Sequence, residues 1–137
     1  MKTLVIYYSY TGKTKELVGK LAAQNELDIL EVKETKRRFA FNAYVFGSLA
    51  ARGQKQAELQ PFDADFSAYD KIILAMPLWA GYPAPAMNNL ISLLPSGKDV
   101  ELLITSGSGN SSGSAEKTKA LVAARGCRVT KYEDIKV

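Results

Sequence analysis

Along this chain, short continuous apolar runs alternate with stretches in which apolar residues return every three or four positions. The first pattern predicts strands buried on both faces, and the second predicts helices with one apolar side. Residues 2–8, "KTLVIYY", read as a strand, after which Leu17, Val18, Leu21 and Ala22 share one side of a helix. Residues 26–32, "ELDILEV", form a second strand, an aromatic-rich helix falls near 40–51, and "KIILAM" (71–76) is a third strand. "PAPAMNNLISLL" (83–94) is a helix opened by prolines, which fit a first turn because its amides have no helical acceptor in any case. "VELLITS" (100–106), a helix near 114–125 and a strand near 127–133 complete the pattern.

Five strands alternating with four helices predict one α/β domain over residues 1–137, with a doubly wound five-stranded parallel sheet, since parallel neighbours need crossover helices. Strands 1, 3 and 4 are almost wholly apolar, whereas strand 2 carries Asp28 and Glu31 and strand 5 carries Arg128 and Lys131. Charged strands suit the edges of a sheet, which predicts the order 2-1-3-4-5. In that order the direction of the crossovers reverses between strands 1 and 3, and such sheets hold ligands there, beyond the carboxyl ends of the strands.

Three loops at that edge carry candidate chemistry. "SYTGKT" (9–14) offers the hydroxyls of Ser9, Thr11 and Thr14, with Gly12 allowing a close backbone turn where a helix begins. Hydroxyls, unpaired amides and the positive end of a helix dipole suit a terminal phosphate dianion without a metal. The plainer alternative is that Ser9 or Thr11 only caps the helix. "PLWAGYPAP" (77–85) sets Trp79 and Tyr82 on a proline-bounded loop, either as a wall for a flat ligand or as ordinary packing. "TSGSGNSSGS" (105–114) is small and polar throughout, either an amide-lined edge for a planar ligand or a surface linker.

Several other chemistries are excluded by what stands at particular positions. A nucleoside triphosphate loop ending in "GKT" needs a glycine where Tyr7 stands, and strand 3 ends without a carboxylate for magnesium. "GNSSG" (109–113) has the spacing of a serine nucleophile elbow, but the chain contains no histidine to act as its base. "GSGNSSG" (107–113) places its third glycine one residue late for a dinucleotide fingerprint. A phosphorylated receiver would need acids where Tyr8 and Met76 stand. One cysteine, Cys127, permits neither an internal disulfide nor a cysteine metal cluster.

Composition adds two constraints. With 47% hydrophobic and 23% charged residues this is a globular chain, and its apolar runs are far shorter than the roughly 20 residues that span a bilayer. The start lacks the apolar stretch of a signal peptide, so a cytoplasmic location is expected. The net charge of +4 is concentrated: Lys33, Lys36, Arg37, Arg38, Arg52 and Lys55 face only Glu34 across positions 33–55, leaving 12 basic against 13 acidic residues elsewhere. That patch reads either as a solvated surface or as an attraction for an acidic partner, an anionic cofactor tail or, less favoured, nucleic acid.

Taken together, "YYSYTGKT", "PLWAGYPAP" and "TSGSGNSSG", in this order and over essentially the whole chain, resemble the flavodoxin family and in particular its short members. The resemblance implies a flavodoxin-like fold and FMN as cofactor. It implies that Ser9, Thr11, Gly12, Lys13 and Thr14 hold the FMN phosphate, with Tyr10 contributing its backbone. Pro77, Leu78, Trp79, Ala80 and Gly81 would flank the isoalloxazine ring, and Thr105, Ser106, Gly107, Ser108, Gly109 and Asn110 would meet its pyrimidine edge. It also implies electron transfer with a redox partner protein or with NAD(P)H, and no catalytic acid, base or nucleophile and no metal. The chain departs from the carrier flavodoxins in being basic, with a pI near 9.1, and in lacking the insertion that splits the last strand of larger members.

The stretch "KRRFAFNAYVFGSLAARGQ" (36–54) is a further departure. It reads as a cover over the flavin, as a dimer or partner surface, or as a plain helix whose Phe41, Val45 and Leu49 face the sheet. A flavin-free interaction module using the basic patch at 33–55 is the alternative function.

Overall fold

The computed structural model describes residues 2–35 and 43–137. Strands β1 (Thr3–Tyr7), β2 (Asp28–Glu31), β3 (Lys71–Trp79), β5 (Asp99–Ser106) and β6 (Arg128–Lys136) pair in parallel in the order β2-β1-β3-β5-β6. A two-residue strand, β4 (Tyr82–Pro83), is added antiparallel to the end of β3. Helices α1 (Lys13–Gln24), α2 (Ser48–Arg52), α3 (Ala86–Leu93) and α4 (Ala115–Ala124) make the connections. With β4 set aside, this is the predicted doubly wound order.

Apolar residues of the central strands divide by alternation between two cores. Ile72, Leu74 and Met76 of β3 join Ile6, Leu102 and Ile104 in one core, closed by Met87 and Leu90 of α3 and Val122 of α4. Ile73 and Ala75 point the other way, with Val5, Tyr7 and Leu103, and meet Val18 of α1. A strand that must bury both faces has no place for polar residues, which explains the continuous apolar run at 71–76. The charged strands lie at the edges as expected. Asp28 sits on β2, and Arg128 of β6 reaches back to Asp99 on β5 with its Nη2 at 2.7 Å from Oδ1.

Three differences from the sequence reading concern the site. Strand β3 runs on to Trp79 instead of stopping at Met76, because the Ala84 amide bonds the Pro77 carbonyl at 2.9 Å and Pro77 still pairs with Thr105 of β5. Helix α3 accordingly begins at Ala86, after Pro85, and not at Pro83. The predicted helix near 40–51 is, over the described residues, a π-helical turn (Ala43–Gly47) followed by α2. A π-turn adds a residue per turn and rotates the phase of the next helix, so Ala51 is buried while Leu49, expected to face the sheet, is 59% exposed. Phe41, Lys36, Arg37 and Arg38 lie outside the described residues.

Candidate functional site

The β1 loop begins where Tyr8 turns its hydroxyl to Glu34, donating to Oε1 at 2.6 Å. Ser9 Oγ then accepts from the amides of Gly12 (3.1 Å) and Lys15 (3.2 Å), folding the loop under the start of α1. Gly12 takes the helix N-cap position at φ 96°, a left-handed conformation that costs side-chain-bearing residues roughly 1–2 kcal/mol. Among the described residues, a Cβ there would meet no atom within 4 Å. Among the described residues the amides of Thr11, Lys13 and Thr14 find no acceptor, so three donors and the positive end of a helix of 12 residues are presented together. Thr11, Gly12 and Lys13 are exposed, whereas Thr14 is buried, its Oγ1 2.8 Å from Thr105 Oγ1 on β5. That bond joins the first loop to the third across 91 positions of sequence.

The second loop is a tight hairpin. Ala80 (φ 51°) and Gly81 (φ 85°) are its two central residues, both with positive φ, the requirement of a type I′ turn that suits strand twist. It sets Trp79 opposite Tyr82, and the indole stands edge-on to Tyr8 (5.9 Å between centroids) and Tyr10 (5.8 Å). Lys117 of α4 donates to the Tyr82 hydroxyl at 2.9 Å, which ties the hairpin to the helix after the third loop. Pro77 and Leu78 are partly buried beside it, and Ala80 and Gly81 are exposed.

The third loop uses its hydroxyls on itself. Ser106 Oγ accepts from the Gly109 amide (2.9 Å) and Ser108 Oγ from the Asn110 amide (3.2 Å), while Asn110 Oδ1 caps the Ser112 amide (2.9 Å). A Cβ at Gly107 would meet no atom of the described residues within 4 Å. At its far end Ser111, 2% exposed, donates to Asp134 Oδ1 at 2.5 Å and bonds the Tyr132 hydroxyl, both on β6. An ionised carboxylate only accepts, so the serine proton goes to Asp134 and the phenol donates to Ser111. The serine of the apparent nucleophile elbow is therefore a clamp that pins the loop to the edge strand.

Burial, joined by the nearby Asp134 carboxylate, pushes the Tyr132 phenol above its ordinary value near 10. A phenol whose pKa is raised on folding lends stability that is present below the unfolded value and lost as pH rises through the folded one. Urea unfolding should thus show stability falling from about pH 10 upward, and falling less in Tyr132→Phe. An identical slope in both proteins would mean that Tyr132 ionises as freely folded as unfolded.

Two cavities open at this edge. One, about 500 Å³, is polar and includes Ser9, Thr11, Gly12 and Lys15 together with Lys33 and Glu34. The other, about 630 Å³, lies between α2 and the hairpin and includes Leu49, Arg52, Leu78 and Trp79. Tyr10 belongs to both, so the first and second loops meet there. Residues 105–110 line neither cavity and reach the first loop through the Thr14–Thr105 bond. Sequence reasoning did not assign Lys15, Glu34, Tyr132 or Asp134 to the site. The alternation at the end of β6 was a signal for Asp134, and the others had none. Among the described residues, no group of three or more His, Cys, Asp or Glu side chains could hold a metal ion, and no helix is long and apolar enough to cross a membrane.

Solved structures identify the architecture. The fold resembles that of a flavoprotein from Lactobacillus acidophilus crystallised in complex with FMN, at TM-score 0.80 and 25% identity, covering 96% of this chain and 91% of that one. It also resembles the oxidised flavodoxin 1 of Bacillus cereus (TM-score 0.57, 17% identity, covering 100% of this chain and 85% of that one). The apo form of the L. acidophilus flavoprotein, determined by NMR, matches at TM-score 0.74 and 23% identity over 97% of this chain and 92% of that one. No family model and no curated protein sequence matches. The protein is a parallel α/β protein of the doubly wound class. Within that class its fold is flavodoxin-like.

Proposed function

We propose that this chain binds FMN across the three loops and transfers electrons through it. The observation that carries the reading is the start of α1, where the amides of Thr11, Lys13 and Thr14 have no acceptor among the described residues and, with the turn at Gly12, offer donors to an anion, with no carboxylate in the loop itself. The FMN-bound L. acidophilus flavoprotein supports the choice of ligand.

In this reading the exposed hydroxyl of Thr11 and the loop amides bind the phosphate, and Ser9 holds the turn that presents them. Tyr10 contributes its backbone, Lys13 adds positive charge, and Thr14 couples the loop to β5. Pro77, Leu78, Trp79, Ala80 and Gly81 give the flavin ring a rigid edge, since the hairpin is held by β3 pairing and by Lys117. Thr105, Ser106, Gly107, Ser108, Gly109 and Asn110 offer amides to its polar edge from a loop already ordered by its own hydroxyls. FMN, when bound, supplies the one- or two-electron chemistry. The chain supplies binding, orientation and the electrostatic setting, and no side chain is required as acid, base or nucleophile. A redox partner protein or NAD(P)H is the exchange partner, and the cytoplasm is the proposed compartment.

Titrating purified protein with FMN tests this. One equivalent should bind, and the flavin fluorescence should be quenched by Trp79, the single tryptophan of the chain. Trp79→Ala should keep the stoichiometry, restore part of the fluorescence and shift the flavin potential. Protein that stays colourless after reconstitution would favour an interaction module built on the basic residues 33–55. NADPH reducing the bound flavin would mark an enzyme, and reduction only by a partner protein would mark a carrier.

A further inference from the structure

The cavity between α2 and the hairpin shares Tyr10, Leu78, Trp79 and Ala80 with the proposed flavin site, whereas Val45, Ser48, Leu49 and Arg52 have no role in that reading. Its walls include Val45, Leu49, Leu78 and the Trp79 indole, its mouth carries Arg52, and among the described residues no carboxylate lines it. Leu49 is 59% exposed on the rim, an apolar side chain left in solvent where the helix phase has been rotated. Arg52 makes no ion pair or side-chain hydrogen bond among the described residues, although Arg125 and Arg128 both do. An arginine without a counter-ion at the mouth of an aromatic and aliphatic slot matches a flat apolar molecule bearing one anionic group. The walls take the ring, and the guanidinium takes the carboxylate or sulfonate.

We infer that this cavity is a second ligand site, for a planar aromatic monoanion, adjoining the flavin site through Tyr10 and Trp79. Residues 105–110, proposed to meet the other edge of the flavin, do not line this cavity. The volume of about 630 Å³ accommodates a two-ring compound. As a co-substrate site it rests on the FMN reading, since Trp79 would then stand between acceptor and flavin. As a binding site it does not.

The test is calorimetric titration with 2-naphthoate and with neutral 2-naphthamide, on the full chain with and without saturating FMN. The naphthoate should bind about tenfold more tightly than the amide, the scale of one charge-assisted hydrogen bond, in both states of the protein. Arg52→Gln should remove that preference while leaving the amide and FMN affinities unchanged, and Arg52→Lys should restore part of it. Equal affinity for the two probes, an unaltered preference in Arg52→Gln, or displacement of naphthoate by FMN would overturn the proposal. Failure of FMN to bind would sink the flavin reading alone, because the naphthoate preference is read without it.

Discussion

A Ser9→Ala/Thr11→Ala double variant will bind FMN about 100-fold more weakly than the unaltered protein, while its affinity for riboflavin changes by less than about threefold. The asymmetry arises from which groups act on which part of the ligand. Ser9 Oγ holds the amides of Gly12 and Lys15 and so fixes the shape of the turn, and the exposed Thr11 is placed to donate a hydrogen bond. Bonds to a charged partner contribute about 1.5–3 kcal/mol each, and only FMN carries the charge. Parallel titrations with the two flavins check it. Equal losses would reduce the loop to a helix cap with no ligand of its own.

Replacing Ser111 with alanine should produce the opposite signature. Its hydroxyl is the partner of both Asp134 and the Tyr132 phenol, so its removal leaves two polar groups of β6 unanswered and lowers stability by about 2 kcal/mol. The third loop then loses its anchor to the edge strand. Residues 105–110 are proposed to meet the flavin ring, which FMN and riboflavin share, so both should weaken by the same factor, roughly fivefold, as the loop must be reordered on binding. Chemical unfolding together with the two flavin titrations reads both effects. Loss of stability with flavin binding intact would confine Ser111 to folding and detach the loop from the ligand.

These contrasts show how far the sequence reaches. The sheet order was legible because burial forces composition: β3 must be apolar on both faces, and Asp28, Glu31, Arg128 and Lys131 can only lie where one side meets water. The β1 loop was legible because glycine and hydroxyl residues at a strand-to-helix turn leave few other uses. The hairpin at Ala80–Gly81 was not, since a proline at 77 reads as the end of a strand, yet it keeps its place by lending only its carbonyl to the pairing. The helix phase at Leu49 could not be read either, because a π-turn changes the period on which the reading depends. Thr14 has a second role that was hidden for a different reason. Its partner Thr105 is 91 residues away, and such long-range pairing leaves no local trace.

Arg52 and the cavity beside it belong to this illegible part. In sequence the residue is one of six cations between positions 33 and 55, indistinguishable from the rest. The fold separates it from them. Lys33 lies 3.8 Å from Glu31 and lines the cavity at the β1 loop, while Arg52 lines the apolar cavity that includes Trp79.

A crystal of this protein grown with FMN tests the central claim most directly. The phosphate is predicted to sit within hydrogen-bond reach of the Thr11, Lys13 and Thr14 amides, with the ring between the Trp79 hairpin and residues 105–110. Flavin bound at another face, or an anion site filled only by solvent at saturating FMN, would contradict it.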